Sequence, residues 1–569
     1  MKRSDRADAP VRPLSALVFA LTGLLACSTE VPSSPQAEAG DDEVGSVTQD
    51  ALFGLVGNNS NVDVTLHPGP AATVGTAATV SFGVPFPRGA LVDRNKLRAF
   101  DGNGTELPIH VRETLRWRVF PGSGTHESIR AAVVSVRIQL ANRSAHPIRL
   151  VLGAAPRVTL PAPADPLQSW VAVTDGEFPA GTVREPRVYA TFPPAWLSRC
   201  NMRTRTLRLG SQAEWRWFDD FVLGSAHTAV NDVPDEVTEL INYTTDYEPW
   251  LFDRTATLFG VFTRTGDVQW LRHAHRSAQF YRAHIDADGY FDLKPGDPDL
   301  KYSYGRSLLM DYMFTGDAAD LAAIERIASV GEEWDPTYDL ATNFWTERHQ
   351  TYALMAALSA WEATGASRHA NRAREVANIS FDMAEDPLGS WHADGCMLHG
   401  MTAHEGAGGD VPICSPWMSA LFADEIWEYY IHSRDPRSLE FLAGLGHYVA
   451  DYGLYDGGEG LAYTMPWYLS SSVKTFSDEG PWGDIEHTCD VAGLVARGAW
   501  AEQLLGRDPG ELVGVVDTLL VSCEKNLSIW HRPGAEVYGK AEWRLSPARK
   551  FNWWFGTTSD LSWLMTALQ

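Results

Sequence analysis

One helical stretch, residues 342–365, gathers an unusual set of reactive side chains at its start: Glu347, Arg348, His349 and Tyr352. Arg348 and Tyr352 are spaced i,i+4 and His349 and Tyr352 i,i+3, so a helix predicts that they sit at one end of one face. Such a group suits proton abstraction beside a carboxylate. The guanidinium would grip the carboxylate with two hydrogen bonds, the imidazole would take the proton, and the phenol would protonate the leaving oxygen. The plainer reading is that these residues only cap and salt-bridge their helix, because clustered ionisable groups mark sites statistically.

Two further clusters lie downstream. The loop after Trp391 carries His392, His399, His404 and Glu405, with His404 a second candidate base. Its spacing matches no linear zinc signature such as HExxH, so no metal is assigned. Asp478-Glu479-Gly480-Pro481-Trp482-Gly483-Asp484 runs into Ile485-Glu486-His487. Here Asp484 is expected to cap a helix, and Glu486 suits the positive end of the helix dipole without any catalytic role. Trp482, between two glycines, is hard to place in a core and is the preferred sugar-stacking residue, with Trp345, His399, Asp484 and His487 as further substrate contacts. A hydrolase would instead need two carboxylates across the bond, drawn from Glu405, Asp484 and Glu486. Asp286-Ala287-Asp288-Gly289 with Asp292 and Asp297 offers oxygen ligands, but its glycine comes one position too early for an EF-hand. A solvated turn is the better expectation, with calcium a weak alternative and no other cofactor implied.

What must position these clusters is a repeated helical unit. Thr265-Gly266-Asp267, Thr315-Gly316-Asp317, Thr364-Gly365-Ala366, Ser433-Arg434-Asp435-Pro436 and Gly506-Arg507-Asp508-Pro509 each follow a helical run, and each places a residue tolerant of positive φ before a polar helix start. A recurrence of roughly 50 residues is the mark of stacked or closed helical arrays. The turns are short, whereas the other connections, about 286–302, 331–342, 385–413, 452–484 and 526–557, are long and rich in Trp, Tyr, His, Asp and Glu. Such loops build a cleft at one end of an α/α toroid of five to six hairpins.

The first third of the chain reads differently. Residues 51–160 hold short alternating runs and the hairpin signal Asp101-Gly102-Asn103-Gly104. Gly83-Val84-Pro85-Phe86-Pro87-Arg88-Gly89-Ala90-Leu91, then Leu107-Pro108 and Arg116-Trp117, resembles the N-terminal RIFT-barrel module of exo-acting rhamnogalacturonan lyase-like proteins. That resemblance implies a small β-barrel, a β-sandwich and an α/α toroid in order, and a polysaccharide lyase activity. The middle part here, 161–236, is shorter than such a sandwich and reads as a β-rich connector, with strands expected at 185–192 and 203–209. The toroid then spans 237–569, its first helix beginning at Asp246-Tyr247-Glu248. The fold class is multidomain β plus α.

At 569 residues and net charge −25, nucleic-acid binding is excluded as a main role, though a local basic cluster is compatible with an acidic glycan. Twenty-one tryptophans fit a glycan cleft as well as a large core. Lys2, Arg3, Arg6 and Arg12 precede the apolar run Leu14 to Leu25, and Leu24-Leu25-Ala26-Cys27 resembles a bacterial lipobox. Residues 1–27 are thus expected to be a lipoprotein signal peptide with Cys27 acylated, and 28–50 a flexible acidic tether. With Ser28 after the cysteine, the expected place is the cell envelope, lipid-anchored at the outer membrane, as a monomer. Of the five remaining cysteines, Cys396 and Cys414 bracket the central loop and Cys489 and Cys523 lie on the two helices of one hairpin; these pairs are expected to be bridged, leaving Cys200 free. The expected function is a secreted lyase acting by β-elimination on a uronic-acid glycan, with a glycoside hydrolase and a non-catalytic glycan-binding lipoprotein as alternatives.

Overall fold

The computed structural model describes residues 61–569 apart from 124–127, 175–180, 203–204, 230–243, 295–297, 407, 459–460, 478–479, 532–534, 538–539, 543–544 and 546–547. Residues 1–50, where a leader with Cys27 and a tether are expected, and Asp297 lie outside the described residues, and so does the side chain of Glu405.

The β region begins with β1 (Asn61–Pro68), whose alternating burial puts Val62, Val64 and Leu66 into the core. There follow β2 (Ala77–Pro85), β3 (Leu97–Asp101), β4 (Glu106–Leu107), β5 (Ile109–Arg116), β6 (Ile129–Gln139) and β7 (His146–Leu152). Asp101 Oδ1 accepts from the amides of Asn103 and Thr105, and Gly104 takes φ 81°, which closes the β3–β4 hairpin where the DGNG signal predicts it. In the connector, β8 (Val171–Ala172) pairs with β9 (Arg184–Glu185), while β10 (Val188–Thr191) joins the edge of the first sheet. The result is a five-stranded antiparallel sheet, β10-β1-β7-β3-β4, and a three-stranded one, β2-β6-β5. The single strand expected over 185–192 is broken after Glu185, where Pro186 cannot donate to a ladder. No strand forms at residues 205–208.

The three-stranded sheet lies directly on the helical part. A Cβ on Gly83 would fall 2.3 Å from the carbonyl carbon of Phe314, so only glycine lets β2 approach that helix.

The helices are α1 (Pro194–Arg199), α2 (Arg216–Ala229), α3 (Arg254–Thr265), α4 (Val268–Ala283), α5 (Gly305–Thr315), α6 (Ala318–Glu333), α7 (Glu347–Thr364), α8 (Ser367–Glu385), α9 (Met401–Glu405), α10 (Pro416–Ser433), α11 (Arg437–Tyr448), α12 (Pro481–Asp484), α13 (Thr488–Leu504), α14 (Gly510–Trp530), α15 (Ala548–Thr558) and α16 (Leu561–Leu568). α3 starts later than expected. Glu248–Trp250 makes only a 3-10 turn, and Phe252 and Asp253, at φ 68° and 57°, break the chain before Asp253 caps Ala256. Gly266, Gly316 and Gly365 end α3, α5 and α7 in the left-handed region, and Asp267 and Asp317 cap α4 and α6.

The first helix of each pair faces inward. α3 packs on α5, α5 on α7, α7 on α10, α10 on α13, α13 on α15, and α15 returns to α3, so the helices close into a ring. Buried ion pairs link members of the ring: Arg306 of α5 with Glu425 of α10 at 2.5 Å, across α7, and Arg497 of α13 with Asp424 of α10 at 3.0 Å and with Asp560, just before α16, at 2.9 Å. Disulfides join Cys396 to Cys414 and Cys489 of α13 to Cys523 of α14, and Cys200 is buried as a thiol.

Candidate functional site

At one mouth of the ring, connections from several pairs surround a cavity of ≈ 470 Å³. Its aromatic wall comprises Phe252, Phe344, Trp417, Tyr468 and Trp553, and its polar groups are Thr346, Arg348, His404, Glu486, His487, Arg549 and Lys550. Three cations therefore face one space in a strongly acidic chain.

Those cations differ in how they are held. Lys550 Nζ lies 2.9 Å from Glu486 and Arg549 Nε 3.1 Å from Glu248. Arg348 has no carboxylate within ion-pair distance among the described residues, so its charge is open to an incoming anion. It comes from the first turn of α7, whose start is set by Thr346: its hydroxyl accepts from the amide of His349. His487 lies between Trp417 and Trp553, with ring centroids 4.9 and 4.1 Å away, and its Nδ1 is 3.4 Å from Asp490. Burial first, and Lys550 second, push His487 well below the ordinary imidazole range, so the ring is neutral at physiological pH.

The residues singled out by spacing separate. Arg348, His404 and His487 line the cavity. His349, next to Arg348, turns away: its Nδ1 is 2.8 Å from Thr346 Oγ1 and its Nε2 3.1 Å from Asp299, between the rings of Trp334 and Phe344. Burial lowers its affinity for a proton in spite of Asp299. Tyr352 belongs to a neighbouring cavity of ≈ 20 Å³, shared with Arg306, Asp424 and Glu425, room for about one water. The expected convergence of Arg348, His349 and Tyr352 is therefore corrected: equal helical spacing does not decide which of two adjacent spaces a side chain enters.

Three proposed substrate contacts are corrected in the same way. Trp345 is fully buried against Tyr338 and His399, with no ring face to offer a sugar. His399 is fully buried behind His404, their rings stacked at 5.6 Å. Asp484 is buried at the end of α12, where it accepts from the Tyr455 hydroxyl at 2.5 Å. It does not cap the following helix, which begins at Thr488 after a 3-10 turn. Trp482 is 49% exposed but lies on α12 outside the cavity lining. Glu405 ends α9. In the loop considered for calcium, Asp286 accepts from the amides of Asp288, Gly289 and Tyr290, as expected of a tight turn.

Sequence reasoning missed Arg549, Lys550, Trp417, Trp553 and Tyr468. A signal existed for the first two: Arg549-Lys550 is a basic pair at the end of the last long connection, next to Trp553-Trp554.

No protein-family model matches the chain, and no curated protein does. Among solved structures it is similar to unsaturated glucuronyl hydrolase from Streptococcus agalactiae, at 12% identity and TM-score 0.39 over 62% of this chain and 97% of that one. It is similar also to cellobiose 2-epimerase from Bacillus thermoamylovorans B4167, at 12% identity and TM-score 0.40 over 60% and 98%. A third is an α-1,6-mannanase of Salegentibacter sp. HEL1_6, at 11% identity and TM-score 0.40 over 62% and 99%. Likeness of this order is silent about chemistry.

Proposed function

We propose that this protein cleaves an acidic glycan by β-elimination in the cavity at the mouth of the ring. The observation that carries the reading is Arg348, a cation without a carboxylate partner among the described residues, facing an aromatic-walled space beside Arg549 and Lys550. A uronate carboxylate fits this electrostatic pattern, and the faces of Trp417 and Trp553 suit sugar rings. In elimination, Arg348 holds the carboxylate and stabilises the enolate-like charge that develops on it. His487, neutral and directed by Asp490, takes the α proton, and the Tyr468 phenol supplies a proton to the leaving oxygen. Hydrolysis is less well supplied: Glu486, the carboxylate among the described lining residues, is held by Lys550, and Asp484 is buried against Tyr455. We place the enzyme in the cell envelope, tethered by a lipid on Cys27.

The test is product analysis on a panel of uronic-acid polysaccharides, following the ultraviolet absorbance of an unsaturated uronyl end. Arg348→Ala and His487→Ala should each lower the rate by roughly 10²–10⁴-fold. New reducing ends without unsaturation, lost in Glu405→Gln and kept in His487→Ala, would replace elimination by hydrolysis. Binding without any product would leave a glycan-binding lipoprotein.

A further inference from the structure

Behind the cavity wall, three side chains from two distant parts of the chain converge. Glu347 opens α7, His399 lies just before α9, and His404 lies on α9; one ligand atom from each falls within 4.8 Å of the other two. All three are buried. The polar atoms of Glu347 and His399 are only partly used. Glu347 Oε1 accepts from the amide of Ser415 at 2.6 Å, but Oε2 is buried without a hydrogen-bond partner among the described residues. His399 Nδ1 is engaged by the carbonyl of Met397 at 3.1 Å, which leaves Nε2 buried and likewise unpartnered.

A buried carboxylate oxygen and a buried imidazole nitrogen left unused in one cluster are costly unless something polar or charged joins them. The two side chains do not satisfy each other directly, because His399 Nδ1 remains 3.9 Å from Glu347 Oε1, beyond hydrogen-bond distance. A second cluster shows what a compensated site looks like. Glu362, Glu428 and His432 also converge, yet Glu362 is 3.0 Å from Arg130 and 3.2 Å from His432, and Arg306 stands close to Glu428. No arginine or lysine is within ion-pair distance of Glu347 among the described residues.

We propose that Glu347, His399 and His404 bind a divalent transition-metal ion of the zinc class. The donor set, two imidazoles and one carboxylate, is that of open zinc sites, which keep a fourth position for water or substrate. The carbonyl of Met397 plays the orienting part usual for a ligating histidine, fixing Nδ1 as the donor and freeing Nε2 for the ion. Tetrahedral bonds of about 2.1 Å space ligands about 3.4 Å apart, so closure by at most about 1.4 Å completes the site. The disulfide Cys396–Cys414 secures both flanks of the loop: His399 pairs with Ile413, and Glu347 holds the amide of Ser415. Because His404 also lines the cavity, the ion would sit in its wall, where it adds positive charge next to Arg348. The metal site does not depend on the β-elimination reading.

The test measures metal, not activity. The full chain is stripped with chelator, and zinc affinity is measured by competition with a chromophoric chelator, with content by mass spectrometry. The expected result is one tight site per chain, with affinity falling by more than ~100-fold in His399→Ala and His404→Ala. His392→Ala, in the same loop but exposed, should keep it. Cobalt in the wild-type chain should give the intense visible bands of a four-coordinate ion, displaced by zinc and not by calcium; this readout needs no variant to fold. Zinc uptake unchanged in both histidine variants, no uptake by the wild type, or only the weak spectrum of a solvated cobalt ion would each overturn the proposal.

Discussion

Replacing Glu428 with glutamine should remove one component of this protein's pH dependence. Glu428 is buried on α10, and burial, with Glu362 adding to it, pushes its carboxyl from 4.5 to about 7 against the pull of Arg306, His432 and Arg130. A folded-state pKa above the unfolded one stabilises the fold below the unfolded value and loses that contribution as pH rises through the folded value. The window is therefore pH 4.5 to 7. At ~1.4 kcal/mol per pH unit, Glu428 alone should remove on the order of 3 kcal/mol of stability across it. Glutamine keeps the shape and cannot ionise. The difference in unfolding free energy between Glu428→Gln and wild type, taken from urea melts at half-unit steps from pH 4 to 8, should rise by about that amount and level off above 7. A flat difference would mean that Arg306 keeps the carboxylate ionised throughout, and the reasoning would fail. Glu362 titrates the other way: although burial works against it, Arg130 and His432 bring it down to about 2, so its contribution is lost only as pH falls from 4.5 toward 2.

Other outcomes follow from single contacts. Gly83→Ala should cost about 1–3 kcal/mol or prevent folding, because the new methyl meets the backbone at Phe314 and not a movable side chain. Replacing Cys489 and Cys523 together by serine should lower stability by up to about 4 kcal/mol in the chain-entropy account of a bridge with sequence separation 34, seen as a lower melting temperature. Arg348→Ala should raise KM for an acidic oligosaccharide and weaken its salt dependence, whereas a matched neutral oligosaccharide should bind equally to both. Cys27→Ala should abolish incorporation of labelled fatty acid; equal labelling of the variant would refute the anchor.

The helical turns were legible because their signals are local. A glycine that must adopt positive φ and an aspartate that must cap can be read from three adjacent residues, as at Gly266-Asp267 and Gly316-Asp317. The site was legible only in part, because side-chain direction is set by neighbours distant in sequence. Arg348 and His349 are adjacent, yet Asp299 and Thr346 draw the imidazole away from the space the guanidinium lines. Trp345, expected as a substrate contact, is core, since Tyr338 and His399 fold over it. Glu347, His399 and His404 meet across a gap that no linear ligand pattern spans.

Arg130 on β6 reaches Glu362 of α7, which also meets His432 of α10, while the amide of Phe120 donates to the carbonyl of His432. Sheet and ring thus share one charge balance, with Glu362 neutralised partly by each. For inheritance this matters: recombination that exchanged the β portion for one without an arginine at this place would leave buried Glu362 to His432 and Arg306 of the ring, without the cation that the sheet supplies. The two portions are therefore expected to descend together, and a substitution of Arg130 is expected to be accompanied by one at Glu362.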